Sequence, residues 1–254
     1  MPLTFSIVTC TWNSAKTLQQ TISSVAMQDY PHIEYLFVDG GSTDATLDMI
    51  RALDRPFRLI ENVGGGISRA MNVGLHAATG DIIAHLHSDD YYLDADVLSR
   101  VAGIFDSTQC EWLFGRTMRD RGGKLHAEGY TAPRYSYPAL LKRNFIPHPP
   151  TFVRRELMLR AGGFDEKLIY AMDYDMWLKL GRLARPVQLD EPLAAFREHA
   201  GSLSTRNHIA AMKEDFQVRL AHAGRNPLHR AEHTARYLVR LARAVQDHNK
   251  GVNA

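Results

Sequence analysis

Two adjacent carboxylates, Asp89 and Asp90, follow the apolar run Ile82-Ile83-Ala84-His85-Leu86, with only His87 and Ser88 between. A short buried strand that ends in paired acids carries them to a sheet edge, because no core shelters two charges. Facing a cleft, such carboxylates suit a hard divalent cation that in turn grips a diphosphate. The same residues also suit a plain helix cap, since acidic N-caps are common. A second acidic group, Ala171-Met172-Asp173-Tyr174-Asp175-Met176-Trp177, opens a segment anchored by Met176, Trp177 and Leu180. Asp173, held rigidly there, is either a cap or a general base for an alcohol nucleophile. His199 lies in a Gly/Ser loop and becomes a ligand if the fold brings it to a metal.

The elements that position these groups are legible as an alternation. Residues 5–10 read as a buried strand, followed by a helix that carries Leu18, Ile22 and Val25 on one face. Asn13 or Ser14 is the expected cap, and Pro31 the stop. A second strand over 33–38 runs into Asp39-Gly40-Gly41-Ser42-Thr43-Asp44, then a helix over 45–53 and a short strand over 57–60. Gly64-Gly65-Gly66 opens a helix bearing Ala70, Met71, Val73 and Leu75; Gly80 closes it before the strand 81–87. Such alternation predicts a largely parallel sheet covered on both faces.

Ligands of open α/β sheets sit at the carboxyl ends of the strands. Those ends here are 9–13, 39–44, 62–69 and 87–90, all of them polar. Asp39 suits a base N–H or ribose hydroxyls, or else the amides of its own Gly-Gly turn. Thr9 points to the same base, or serves the strand alone. Arg69, one turn beyond the triple glycine, is within reach of a phosphate, and Asn72 is expected to fix that glycine loop. The glycines form neither G-x-G-x-x-G nor a P-loop, which excludes the common dinucleotide and NTP signatures.

Beyond residue 93 the rhythm loosens. A helix over 95–105, a strand over 112–117 and a hairpin turn at Arg121-Gly122-Gly123-Lys124 come first. Pro147-His148-Pro149-Pro150 is a turn, and helices follow over 155–160 and 173–183. Past Ser204 two helices are expected, divided by Pro227. Arg236, Arg240 and Arg243 recur at helical spacing, with Tyr237, Leu238, Leu241 and Val245 for an apolar side. That face reads as a solvated appendage, a homodimer contact, or a loose attachment to an anionic membrane.

With 254 residues, 45% hydrophobic and 23% charged, the chain suits one sizeable α/β domain with a small appendage and is not disordered. A net charge of +2 gives no field that selects nucleic acid. Only Cys10 and Cys110 occur, without zinc spacing, which points to a reduced cytoplasmic setting. Met1-Pro2-Leu3-Thr4 lacks signal-peptide character, and no apolar run nears the ~20 residues that span a bilayer.

Taken in order, these motifs resemble the family 2 glycosyltransferases of bacterial cell-surface polysaccharide type. The match runs from Ser6-Ile7-Val8-Thr9 through the Asp39–Asp44 turn, Ala70-Met71-Asn72-Val73-Gly74 with Ala78-Thr79-Gly80-Asp81, and Ser88-Asp89-Asp90. Gly162-Gly163-Phe164-Asp165, the Asp173–Leu178 segment and His199-x-Gly201-Ser202-x-Ser204 complete it. The resemblance implies a GT-A fold over 1–204, a mostly parallel Rossmann-like sheet flanked by helices, with a helical extension over 205–254. It implies inverting transfer from a nucleotide diphosphate sugar, by family habit a UDP-sugar, to a glycan or lipid-linked glycan. On that pattern Asp89 and His199 bind Mn²⁺ or Mg²⁺, and Asp173 is the base. Thr9, Asp39, Arg69, Ser88 and Asp90 face the donor, and His148 and Asp175 the acceptor. The chain departs from the pattern at His87, where the first acid of D-x-D often stands, in the acid-free 62–66 segment, and at Met172, where Glu is common.

Two competing readings remain at this level. One is a catalytically silent nucleotide-sugar-binding or scaffold subunit of a polysaccharide assembly. The other, a sugar-1-phosphate nucleotidyltransferase, requires a basic Gly-rich loop after the first strand, where this chain has Thr9-Cys10-Thr11-Trp12-Asn13.

Overall fold

β1 (Phe5–Thr11) lies between two parallel neighbours, β2 (Ile33–Asp39) and β4 (Ile82–His85), while β3 (Arg58–Ile60) extends the sheet beyond β2. In this register Thr11 sits opposite Asp39 and Val8 opposite His85, so three polar strand ends emerge at one edge. The computed structural model describes residues 2–198, 207–224 and 227–252. The connecting helices α1 (Leu18–Ala26), α2 (Thr46–Arg51) and α3 (Ile67–Ala77) fall within the expected spans.

The second half contains β5 (Tyr91–Tyr92), α4 (Val97–Thr108), β6 (Trp112–Arg121), β7 (Lys124–Ala127), α5 (Tyr137–Lys142) and β8 (Thr151–Arg154). It continues with α6 (Arg155–Arg160), α7 (Met172–Leu183), β9 (Val187–Arg197), α8 (His208–His222) and α9 (Pro227–Val252). One sheet takes the order β3-β2-β1-β4-β8-β6-β9-β5, with β7 paired on β6. β8 runs antiparallel to β4 and to β6, so the expected parallel sheet is mixed beyond β4.

Apolar residues alternate along β1 to fill both faces. Val8 and Cys10 pack with Met71 and Leu75 of α3, whereas Phe5 and Ile7 pack with Leu18, Ile22 and Val25 of α1. Each such buried side chain contributes roughly 1.5–3 kcal/mol. Trp112 of β6 stacks on Trp177 of α7, with centroids 6.1 Å apart, and its indole N–H donates to Ala184 O at 2.9 Å. This contact seats α7 on the sheet.

The cap of α1 differs from expectation. Thr17 holds the cap position without a side-chain bond, and Ser14 accepts the Thr17 and Leu18 amides through its backbone oxygen. The Ser14 hydroxyl is thereby left to pair with that of Ser88 at 2.8 Å, and Asn13 accepts from the Thr43 amide at 2.9 Å. Both residues tie strand-end loops together.

The carboxyl-terminal extension is docked through α8, whose Val218 joins the main core and whose Met212 is buried. Phe216 of α8 stacks on Tyr237 of α9 at 4.2 Å. The expected apolar side of α9 is therefore divided: Tyr237 turns inward, while Leu238 is 56% exposed. Arg236 pairs with Glu232, and Arg240 lies 3.6 Å from Asp215. The side chains of Arg243 and Val245 lie outside the described set. Among the described residues no helix is long and apolar enough to cross a membrane.

Gly74 lets α3 press onto the sheet, because a Cβ there would collide with Cγ1 of Val8. Gly74→Ala should lower unfolding free energy by about 1–3 kcal/mol through overpacking. Urea denaturation should show a reduced midpoint with an unchanged slope; an unchanged midpoint would contradict this close approach.

Candidate active site

A cavity of about 930 Å³ opens at the polar edge, bounded by the ends of β1 and β4, the 64–66 glycines and the 169–172 segment. Asp89 and Asp90 both reach its wall. Asp90 is the deeper of the two, at 1% exposure, and accepts the Arg197 amide N–H at 3.2 Å. Burial, then the charge of Asp89, raises its carboxyl well above the usual range. Nε of Arg197 donates to the backbone oxygen of Asp89 at 3.2 Å, and its guanidinium also bonds Gln20. β9 thus braces the acidic turn, with Asp89 on the cavity wall. Ser88 reaches the same wall with its hydroxyl on Ser14.

Asp39 is fully buried and serves its own turn. Oδ1 accepts the Gly41 and Ser42 amides, each at 2.8 Å, and Oδ2 accepts the hydroxyls of Thr11 at 2.8 Å and Ser42 at 2.5 Å. Burial works to raise its carboxyl, but these donors hold it below the ordinary value. Its acceptor positions are filled, and the cavity wall here is Gly40 and Trp12. Thr9 is also inside the sheet, its hydroxyl 3.4 Å from that of Tyr35. The expected base-binding pair, Thr9 and Asp39, therefore lies beneath the cavity wall, with the Asp39 carboxylate met by donors of its own turn and of Thr11. Trp12, 69% exposed at the wall, is the residue the motif reading passed over. A tryptophan immediately after a strand at the polar edge was the signal for it.

Gly65 adopts φ of 99°, and a Cβ there would stand 2.7 Å from Cδ of Arg69. Arg69 therefore folds over the glycine loop, with its side chain exposed beside the cavity. Asn72 does not fix that loop. It donates to Phe164 O at 2.9 Å and accepts the Phe164 amide at 2.8 Å, which ties α3 to the 162–166 turn.

Asp173 occupies the first turn of α7, immediately after the cavity-lining Met172. Burial pushes its carboxyl up to about 6; the Tyr174 amide, which donates at 2.6 Å, opposes the rise, and the charge of Asp215 adds to it. A carboxylate so poised is matched to proton abstraction near neutral pH. Asp175 is placed elsewhere. Two residues along a helix amount to roughly 200°, and its buried carboxylate faces Lys179 Nζ at 2.7 Å and His222 Nε2 at 2.7 Å. Burial again works upward, but these two partners hold its pKa below the ordinary value. The expected acceptor contact is instead a staple between α7 and α8. His148 stacks on His87 at 4.5 Å, behind the cavity wall that His87 lines, and burial keeps both rings below the ordinary imidazole range.

A divalent cation fits what is present. Asp89 offers hard carboxylate oxygen at the cavity wall, the donor type Mg²⁺ and Mn²⁺ take beside substrate phosphates and water. Among the described residues no three His, Cys, Asp or Glu side chains converge, and His199 lies outside the described residues.

A sheet of this order, with an acidic turn at the end of its fourth strand, is the GT-A architecture of glycosyltransferases. Residues 6–160 match the glycosyl transferase family 2 pattern. The chondroitin synthase of Pasteurella multocida (strain Pm70) is 32% identical over 219 residues, which is 84% of this chain and 22% of that protein. The chain therefore spans about a fifth of that relative's length. S. aureus TarS 1-349, solved in complex with UDP-GlcNAc, shares 23% identity and a TM-score of 0.72 over 93% of this chain and 72% of that one. The mannosyltransferase PcManGT from Pyrobaculum calidifontis, solved with GDP-Man and Mn2+, shares 20% identity and a TM-score of 0.65 over 93% and 70%. The chain belongs to glycosyl transferase family 2.

Removing Asp175 leaves Lys179 and His222 without their shared partner. Asp175→Ala should cost about 3 kcal/mol at pH 7. Because the folded pKa is depressed, the wild-type advantage exists above the unfolded carboxylate value and fades as pH falls through the folded one. Denaturant melts at pH 7 and pH 3 should show the gap narrowing in acid; a constant gap would deny that this ion pair carries the effect.

Proposed function

We propose that this enzyme transfers a sugar, with inversion, from a UDP-sugar to a glycan hydroxyl during surface polysaccharide synthesis. The single observation that carries the reading is Asp89 on the cavity wall together with Asp173, its carboxyl raised to about 6, directly after the wall residue Met172. The name of the chondroitin synthase relative and the UDP-GlcNAc held by TarS support the substrate classes. The exposed face of Trp12 suits stacking by a nucleobase, and the 64–66 glycines admit a diphosphate close to backbone. Asp89, joined by His199 on the family pattern, would hold Mn²⁺ or Mg²⁺, which neutralises charge on the departing diphosphate.

Asp173 accepts the proton of the acceptor hydroxyl as its oxygen attacks the anomeric carbon. The bond to the diphosphate breaks on the opposite face, so one in-line displacement inverts the centre. The acceptor is a free or lipid-linked glycan. The exposed Leu228, Leu238 and Val239 of α9 support contact with a cytoplasmic membrane face.

Asp173→Asn should lower transfer by about 10²–10⁴-fold while leaving UDP affinity in Mn²⁺ nearly unchanged. In the wild type, turnover should be full above pH 6 and fall about tenfold per unit below it, as Asp173 takes up a proton. Substantial transfer by the Asn variant, or a product of retained configuration, would refute the base.

Asp89→Ala should abolish the increase in UDP affinity produced by Mn²⁺, measured by calorimetry. Equal Mn²⁺ dependence in variant and wild type would remove Asp89 from the metal.

A further inference from the structure

α7 begins without a side-chain cap: Ala171 holds the cap position and its side chain makes no hydrogen bond. The amides leading into it are met from another element. Glu214 of α8 accepts Ile169 N–H at 2.9 Å through Oε1, and the Tyr170 and Ala171 amides through Oε2, the latter at 2.8 Å. Three amides thus converge on one carboxylate some 43 to 45 residues away in sequence. Charge-assisted bonds of this kind are roughly twice as strong as neutral ones, and a negative charge beside a helix N-terminus is favoured by the dipole.

The segment so held is not remote from the chemistry. Ile169, Tyr170 and Met172 form cavity wall, and Asp173 is the next residue. α8 is itself fixed to α7 by the His222–Asp175 contact at 2.7 Å, so Glu214 bears on the segment from a seated helix. We infer that Glu214 is a positioning residue, whose carboxylate sets the entry of α7 so that Asp173 stands at the cavity. This inference rests on the reading of Asp173 as the base. It also gives the carboxyl-terminal extension a part in the reaction. Asp215, its neighbour, lies close enough for its charge to act on Asp173.

A glutamine at 214 has the same shape but one acceptor oxygen, so its NH₂ must face at least one amide donor. The test uses the full chain with Glu214→Gln, and Lys213→Ala as an exposed control on the same helix. Hydrogen exchange should accelerate about tenfold at amides 169–171 while 176–183 stay protected. With whichever of UDP-GlcNAc, UDP-glucose and UDP-glucuronate the wild type consumes fastest, kcat should fall about 10- to 100-fold and donor KM hold within about twofold. The affinity for UDP with Mn²⁺ should be unchanged, and Lys213→Ala should match wild type throughout. Unaltered exchange at 169–171, or faster exchange with wild-type kcat, would overturn the inference. Full transfer by Asp173→Asn would instead overturn the base, and the kcat of Glu214→Gln would still judge the clamp.

Discussion

Parallel pairing of β1 with both β2 and β4 is the constraint on which the rest of the molecule depends. Parallel strands point their carboxyl ends the same way, so each following loop emerges at one edge of the sheet. Those loops then interlock through side chains as well as through backbone bonds from Gly40 to Thr11 and from Val63 to Asp39. The Ser14 and Ser88 hydroxyls join the first to the last, Asn13 reaches the 42–43 turn, and Asp39 collects four donors beneath it. Gly74 lets α3 pack directly on β1 and β2, where a Cβ would meet Val8.

Carboxylates are unusually concentrated around this edge, and the fold assigns each a different electrostatic state. Asp39 and Asp175 are held ionised by surrounding donors despite their burial. Asp90 is pushed toward its neutral form behind Asp89, and Asp173 is left intermediate. Such separation follows from how many N–H, O–H and cationic partners reach each group, since desolvation acts on all of them in the same direction. Two like charges on adjacent residues become compatible because one of them lies at a depth where ionisation is disfavoured.

Much of this was legible in the chain. Periodicity located β1, α1, β2, α3, β4 and α7 within a few residues, since apolar spacing follows directly from which face is buried. The order of the acidic motifs located both sides of the cavity. Side-chain direction was harder. Asp175 read as an acceptor-facing acid, but helical rotation carried it to Lys179 and His222, which no linear motif displays; for Asp39 the motif left two roles open, and the amides of its own turn are the contacts seen. Asn72 was recognised as a fixing residue, yet its partner lay 92 positions away at Phe164. Glu214 had no local signal at all, because the amides it meets belong to a loop more than 40 residues earlier. The boundary drawn after residue 204 followed the family resemblance; the helices beyond it dock on the common core through Val218 of α8.

The three tryptophans are distributed in a way that gives the enzyme an optical report of its own state. Trp112 and Trp177 are stacked on one another, sealed from water and rigid. Trp12 alone stands in solvent, on the cavity wall. Emission therefore divides into a blue, shielded pair and a red-shifted component that a soluble quencher reaches. A ligand entering the cavity would meet Trp12 directly, whereas Trp177 is separated from the cavity by the stacked rings of His148 and His87, so the red-shifted component is the one placed to follow ligand entry.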